Sequence, residues 1–250
     1  MTLGIEIDDL DVGSAAVDEL RMLLAEHGVL ILRRQSVDDE RFLAFLRRFG
    51  DMMFTEGETP VPGFPDLNVI SNVGRTTPPK STFHVDTTYV PNPPAYTALR
   101  AVEVPRAGGS TLFSDQYAAY DTLPDDRKAH LAGRLVTHRV TGVASDADSS
   151  AEHPLFAVHP VSGRTAVALS APARCVAISG MSADEAQETI RYLFEHSTHD
   201  DNLLRHSWAP DDVVMWDNRC VMHRADHSAV VGNRVMHRGM VAVEESTSVM

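Results

Sequence analysis

The sequence predicts one mainly β domain with a few flanking helices, an α+β chain, on three observations. Short runs of alternating or continuous apolar residues recur from end to end, each bounded by glycine, proline or small polar residues. Only three stretches carry a convincing helical period. No internal repeat, linker or compositional break divides the 250 residues, so a single domain spanning 1–250 is expected.

In chain order, residues 4–8 alternate and suit a first strand. Ser14 can cap a helix that places Val17, Leu20, Leu23 and Leu24 on one face and ends at Gly28. Residues 29–32, Val-Leu-Ile-Leu, read as a buried strand. Ser36 then opens a second helix, with Phe42, Phe45, Leu46 and Phe49 on its apolar side and Gly50 as its stop. From 55 to 80 prolines and glycines interrupt everything except a strand at 67–70, and the stretch is expected to form a loop over a site. Residues 96–104 suit a strand, and Gly108-Gly109-Ser110-Thr111 a tight turn entering another. The stretch 115–151 is more polar and partly helical, and 145–150 suits no regular element. Strand-like segments resume at 155–158 and 166–169. Ser182-x-x-Glu185 is a capping box before a helix with Ile190, Leu193 and Phe194 on its apolar face. Residues 213–218 read as a strand, followed by Arg219-Cys220-Val221-Met222-His223-Arg224.

Composition excludes several classes of partner. The net charge of −13, without any cluster of Lys and Arg, argues against nucleic acid and anionic membranes. No long apolar run or leader pattern is present. Two cysteines, Cys175 and Cys220, are too few for a disulfide framework and fit a reducing, cytoplasmic setting.

Chemistry concentrates at two places. In residues 83–89, Phe-His-Val-Asp-Thr-Thr-Tyr, the β-branched and aromatic neighbours suggest a strand, which would turn the His84 imidazole and the Asp86 carboxylate to one side. That pair is two-thirds of a 2-His-1-carboxylate triad, the usual ligand set of non-haem Fe(II). Far downstream, His223 could join it only if the fold brings two strands together. Beyond it, Arg234, Met236 and Arg238 share one strand face, with Val235 and His237 on the other. Two planar guanidinium groups on one face suit carboxylate recognition; ordinary surface salt bridges are the alternative. His130, His138, His153 and His159 show no ligand spacing and read as surface or hydrogen-bonded histidines.

Taken together, His84-x-Asp86, the Trp-Asp-Asn-Arg-x-x-x-His block ending at His223, and Arg234-Val-Met-His-Arg238 resemble the taurine/2,4-D dioxygenase (TauD/TfdA) family of Fe(II)- and 2-oxoglutarate-dependent oxygenases. The likeness extends to residues 30–33, 48–51, 100–105, 108–112 and 159–164. It implies a double-stranded β-helix, a cupin-like jelly-roll that holds iron between two sheets. Carried over, His84, Asp86 and His223 match the iron ligands, and Thr111 and Arg234 match the residues that hold the distal carboxylate of 2-oxoglutarate. Arg238 matches a position that meets an acidic group on the primary substrate or lies beside the cosubstrate. Trp216 and Asp217 fall to the scaffold. The implied activity uses Fe(II), 2-oxoglutarate and O2, and couples oxidative decarboxylation to succinate and CO2 with C–H oxidation of a small molecule. Related halogenases have a small residue in place of the carboxylate, so Asp86 points to hydroxylation or a desaturation-type outcome.

Lys80 lies where taurine-type members carry a polar substrate residue, and with Arg238 it suits an anionic substrate. The segment 171–173, Ala-Pro-Ala, stands where such members have an aromatic, which implies a pocket of different shape and puts taurine itself in question. The resemblance leaves a homo-oligomer open. On residues alone, a non-catalytic metal- or small-molecule-binding jelly-roll and a zinc-dependent hydrolase also remain open.

Overall fold

In a computed structural model that describes residues 2–8, 10–55, 57–74, 81–140 and 149–242, the strands and helices follow one another from Ile5 to Ala242. The first third holds β1 (Ile5–Ile7), α1 (Val17–His27), β2 (Val29–Leu32), α2 (Asp39–Arg47), β3 (Asp51–Met53), β4 (Pro60–Val61) and β5 (Phe64–Ser71). The middle holds β6 (Tyr96–Glu103), β7 (Thr111–Asp115), α3 (Gln116–Asp121), α4 (Asp125–Leu131), β8 (Leu135–Arg139), β9 (Ser150–Pro154), β10 (Phe156–Val158), β11 (Thr165–Val167) and β12 (Cys175–Ile178). The last third holds α5 (Ala183–Ser197), β13 (Leu203–His206), β14 (Val213–Asp217), β15 (Val221–Ala225) and β16 (Val235–Ala242).

Eight strands form the large sheet, in the order β1-β2-β14-β6-β16-β5-β4 with β3 paired to β16. A smaller sheet, β13-β7-β15, faces it. Between them lie Ile31, Leu99, Val214, Trp216 and Met236 of the large sheet and Phe113 and Val221 of the small one. The intervening residues of the same strands, Leu30, Leu32, Ala98, Val213 and Met215, point the other way and pack on Leu20 and Leu24 of α1 and Phe42, Phe45 and Leu46 of α2. Because strand side chains alternate, a sheet covered on both faces needs apolar residues at every position; hence the unbroken Val-Leu-Ile-Leu of β2 and Val-Val-Met-Trp of β14. The two facing sheets make a double-stranded β-helix with helices outside. A third layer, β12-β8-β9 with β10-β11 and α3 to α5, has its own core around Leu131, Val136, Leu155, Ile190 and Leu193.

Most expected elements are present, with four corrections. Both helix starts lie later than expected. Ser14 donates its hydroxyl to Asp11, and α1 begins after Ala16 without a side-chain cap. Ser36 adopts φ 43, and Asp38 caps α2 by accepting from the Arg41 amide. The stretch before the site contains a β4–β5 hairpin as well as irregular chain. The polar middle contributes β8, and β9 begins at Ser150, inside a segment expected to be irregular; 141–148 lie outside the described residues. The fourth correction concerns residues 83–89. His84 makes a single bridge to His223, and the chain then turns at once, with Thr87 at φ 45.

The Gly28 stop and the Ser182/Glu185 capping box hold. Gly28 ends α1 at φ 71, and a Cβ there would stand 2.6 Å from a Val221 methyl, so no other residue fits. Both halves of the Ser182/Glu185 capping box are formed.

Candidate metal and cosubstrate site

Adjacent strands of the small sheet, β7 and β15, place Thr111 opposite Ala225 and Phe113 opposite His223. Directly opposed residues share a face, so Thr111, Phe113 and His223 all turn toward the large sheet. His84 is fixed to the outer edge of β15 by reciprocal backbone hydrogen bonds with His223, of 3.0 and 2.9 Å. This pairing holds the two imidazoles together, their ring centroids 4.4 Å apart. The turn after His84 then swings Asp86 under both rings, with its oxygens 3.7 Å from His84 Nε2 and 3.8 Å from His223 Nε2. Imidazole and carboxylate do converge, but by a bridge followed by a turn, not by strand alternation.

The three donor atoms lie within 4.8 Å of one another. Their protonation suits a cation. The Thr82 carbonyl, 2.8 Å from His84 Nδ1, accepts a hydrogen bond from that nitrogen, which in the neutral ring places the lone pair on Nε2. His223 is buried, and burial, partly offset by Asp86, lowers its pKa to about 3, so it is neutral. Its Nδ1 has no hydrogen-bond partner among the described residues; the ring is held by Trp216, 4.5 Å away, and by the backbone bridge. Burial alone would raise the Asp86 carboxyl, but the Arg238 guanidinium beside it holds it well below the usual carboxylate range. Arg238 Nη1 donates to Asp86 Oδ1 at 3.3 Å, and Nη2 meets Glu58 at 3.5 Å.

A further side chain, Thr97, holds the Asp86 carboxylate and escapes a reading of the sequence, and Asn218 of the Trp-Asp-Asn-Arg block aligns it. Thr97 of β6 donates its hydroxyl to Asp86 Oδ2 at 2.8 Å, and Asn218 Nδ2 donates to Thr97 Oγ1 at 2.8 Å. No local pattern marks Thr97; it reaches the site because β6 pairs with β14.

Arg234 immediately precedes β16, four residues before Arg238, and only 1% of it is exposed. Its partners are neutral oxygens, the Gly109 carbonyl at 2.9 Å and the Thr111 hydroxyl at 3.3 Å, and no carboxylate pairs with it among the described residues. Burial lowers its pKa to about 10. Gly109, at φ 74, lets the chain pass: a Cβ there would lie 3.1 Å from Arg234 Cδ. Trp208, missed in the sequence, donates its indole N–H to Thr111 Oγ1 at 3.0 Å. With Arg234 and Trp208 both donating to that oxygen, the Thr111 hydroxyl proton is left to donate outward. A buried, uncompensated guanidinium beside a free hydroxyl donor is a site for an anion. His237, on the face of β16 opposite Arg238, pairs with Asp39 at 2.6 Å, as the alternation requires.

Lys80 lies outside the described residues. His130 is exposed, His153 Nε2 bonds the Thr88 carbonyl, and His138 and His159 are buried and hydrogen-bonded. His159, Asp217 and Cys220 form a second compact group, but it has no vacancy for an ion. His159 Nδ1 accepts from the Val161 and Ser162 amides, leaving Nε2 to donate to Asp217, whose oxygens also take the Arg219 guanidinium. This group is scaffold, as expected for Asp217.

The buried imidazoles set an acid limit on stability. Burial lowers His138 to about 4 and His223 to about 3, against an ordinary 6.5. Between 6.5 and those values the unfolded chain binds protons that the folded chain refuses, so stability falls as pH drops through this window, by up to about 1.4 kcal/mol per group per pH unit. Urea unfolding of the metal-free protein at pH 7.5, 6 and 5 should show this loss, and His138→Gln should shallow it by about one proton. Equal stability at all three values would contradict it.

The family model of the taurine catabolism dioxygenases, TauD, TfdA family, matches residues 2–240. An α-ketoglutarate-dependent 2,4-dichlorophenoxyacetate dioxygenase from Cupriavidus pinatubonensis is 31% identical, covering 93% of this chain and 92% of its own. An α-ketoglutarate-dependent sulfonate dioxygenase from Saccharomyces cerevisiae is 30% identical over 92% of this chain and 61% of its own. Among solved structures, AAD-2 in complex with Mn(II) and N-oxalylglycine matches with a TM-score of 0.84 at 27% identity, covering 97% of this chain and 95% of its own.

Proposed function

The chain belongs to the taurine catabolism dioxygenase TauD, TfdA family, and we propose that His84, Asp86 and His223 hold its Fe(II), and that Thr111 and Arg234 hold its 2-oxoglutarate. It is an Fe(II)- and 2-oxoglutarate-dependent dioxygenase. Bound in the site, iron, 2-oxoglutarate and O2 supply the oxidising chemistry, in which 2-oxoglutarate becomes succinate and CO2 while a substrate C–H bond is oxidised.

The chain's own residues contribute position and charge. The bridged histidines offer two neutral nitrogens and Asp86 one negative oxygen, a set suited to a divalent metal and leaving coordination positions for other ligands. Arg234 and Thr111 supply a buried cation and a hydroxyl donor for a carboxylate. The observation that carries the assignment is Arg234, a guanidinium 1% exposed without an anionic partner among the described residues. A zinc hydrolase or a silent binding module has no use for it.

Arg238 stands beside Asp86 and Glu58 and is 9% exposed, so it reaches a substrate bound above the carboxylate. With Lys80 four residues before His84 in sequence, this favours a small anionic substrate, of the carboxylate or sulfonate kind on which the relatives act. The segment 171–173, with no aromatic side chain, supports a pocket shaped unlike that of taurine-type members. The large sheet draws on strands from Ile5 to Ala242, which supports one catalytic domain over 1–250. No described helix is long and apolar enough to cross a membrane, and Cys175 and Cys220 are free and buried, which supports a cytoplasmic setting.

Anaerobic titration of the Fe(II)-loaded protein with 2-oxoglutarate should raise the weak visible charge-transfer band of a chelated 2-oxo acid, abolished in His84→Ala. No band with loaded iron would sink the site assignment. In air, small carboxylates and sulfonates should accelerate succinate formation, and neutral isosteres should not; equal acceleration by both would sink the anionic reading.

A further inference from the structure

Asp86 is the one anionic group of the proposed metal site, and its carboxylate is gripped from two sides. Arg238 Nη1 donates to Oδ1 at 3.3 Å, and Thr97 Oγ1 donates to Oδ2 at 2.8 Å. The second grip is part of a longer chain of buried hydrogen bonds. Trp216 Nε1 donates to Asn218 Oδ1 at 3.1 Å, which fixes the orientation of the Asn218 amide. Asn218 Nδ2 then donates to the Pro94 carbonyl at 3.1 Å and to Thr97 Oγ1 at 2.8 Å. An amide nitrogen only donates, so Thr97 must accept from Asn218, and its single proton is directed at Asp86. Each link sets the direction of the next.

All four side chains are shielded from solvent: Trp216 and Thr97 are 0% exposed, Asp86 4% and Asn218 6%. In such surroundings a hydrogen bond to an ionised acceptor is short and strong, and an unmet donor is costly. The relay also joins elements distant in sequence: Thr97 stands directly opposite Trp216 in the β6–β14 pairing, and Asn218 follows β14 in the same block that leads to His223.

Resting on the assignment of Asp86 as a metal ligand, we propose that Thr97, aligned by Asn218 and Trp216, is a positioning residue for the metal. Its hydroxyl stops rotation of the carboxylate about Cβ–Cγ, so that Asp86 presents a lone pair to the metal rather than swinging into a two-pronged pair with Arg238. Thr97 touches neither metal nor substrate. Partners of this kind, one shell removed from the ion, typically change metal affinity 10- to 100-fold.

The test uses Mn(II) on the full chain without 2-oxoglutarate, with dissociation constants read from the electron paramagnetic resonance signal of free Mn(II). Thr97→Val keeps the side-chain shape and removes the hydroxyl; Thr97→Ser keeps the hydroxyl. The expected result is a 10- to 100-fold weaker Mn(II) constant in Thr97→Val, near wild-type binding in Thr97→Ser, and an intermediate loss in Asn218→Ala. A wild-type constant in Thr97→Val overturns the proposal. So does weakening in Thr97→Ser equal to that in Thr97→Val, which would assign the effect to packing. Failure of the wild-type protein to bind one Mn(II), or undiminished binding in His84→Ala, instead overturns the metal-site assignment beneath it.

Discussion

Replacing Arg234 by Met should weaken 2-oxoglutarate binding by about 100- to 4,000-fold while leaving the Mn(II) constant near wild type. The magnitude follows from the loss of a buried, charge-assisted anchor, about 3–5 kcal/mol at 1.4 kcal/mol per decade. Stability should move the other way. Without bound 2-oxoglutarate, Arg234 is a buried cation served by the Gly109 carbonyl and the Thr111 hydroxyl, with no counter-charge among the described residues. A buried charge so placed destabilises the empty protein, and an unbranched apolar chain of similar length removes that cost. The melting temperature of unliganded Arg234→Met should therefore equal or exceed that of wild type, and added 2-oxoglutarate should raise only the wild-type value. Arg234→Lys retains the charge but not the planar fork, and should fall between the two. Cosubstrate affinity in Arg234→Met within threefold of wild type would remove Arg234 from the site.

The parts of this fold legible in the sequence are those set by local rules. Gly28 and the Ser182/Glu185 box mark helix ends because a positive φ and a capping pair are local demands. The apolar runs of β2 and β14 identify strands covered on both faces. Ser14 misleads because its hydroxyl is taken by Asp11 and α1 starts after Ala16 with no side-chain cap; Ser36 misleads because Asp38, two residues on, bonds the Arg41 amide. At residues 83–89 β-branched and aromatic side chains favour a strand, yet the chain turns at Asp86, with Thr87 in the left-handed region. Propensity there yields to tertiary structure, because the turn brings the carboxylate under both imidazoles.

The site itself is legible only as far as motif resemblance reaches. His84, Asp86, His223, Thr111, Arg234 and Arg238 all stand out by pattern, and the fold gathers them between its two sheets. Thr97 and Trp208 do not stand out, and Asn218 stands out only as a member of the Trp-Asp-Asn-Arg block without a role; Thr97 meets Asn218 across 121 residues and Trp208 meets Thr111 across 97. A threonine in a strand is ordinary; a threonine whose proton is directed by an asparagine onto a buried carboxylate is visible only in three dimensions.

Removing the Asp86 charge should reverse the pattern seen with Arg234, and the contrast tests the electrostatics of the whole site. Asp86→Asn keeps the shape and the acceptor for Thr97, but it deprives Arg238 of a buried partner at 3.3 Å and leaves it, among the described residues, with Glu58, whose side chain is 34% exposed. Breaking a buried pair from one side costs about 3–5 kcal/mol, which at roughly 2–4 °C per kcal/mol predicts a melting temperature about 6–20 °C lower. Mn(II) binding should weaken by more than about 10²-fold and turnover should vanish, because two neutral imidazoles remain without an anion. The double variant Asp86→Asn/Arg238→Met should recover most of the lost stability and none of the metal binding, since the cost lies in the stranded guanidinium whereas the affinity lies in the carboxylate. If the double variant is as unstable as Asp86→Asn alone, Arg238 is not the group that Asp86 neutralises, and the charge balance derived for this site is wrong.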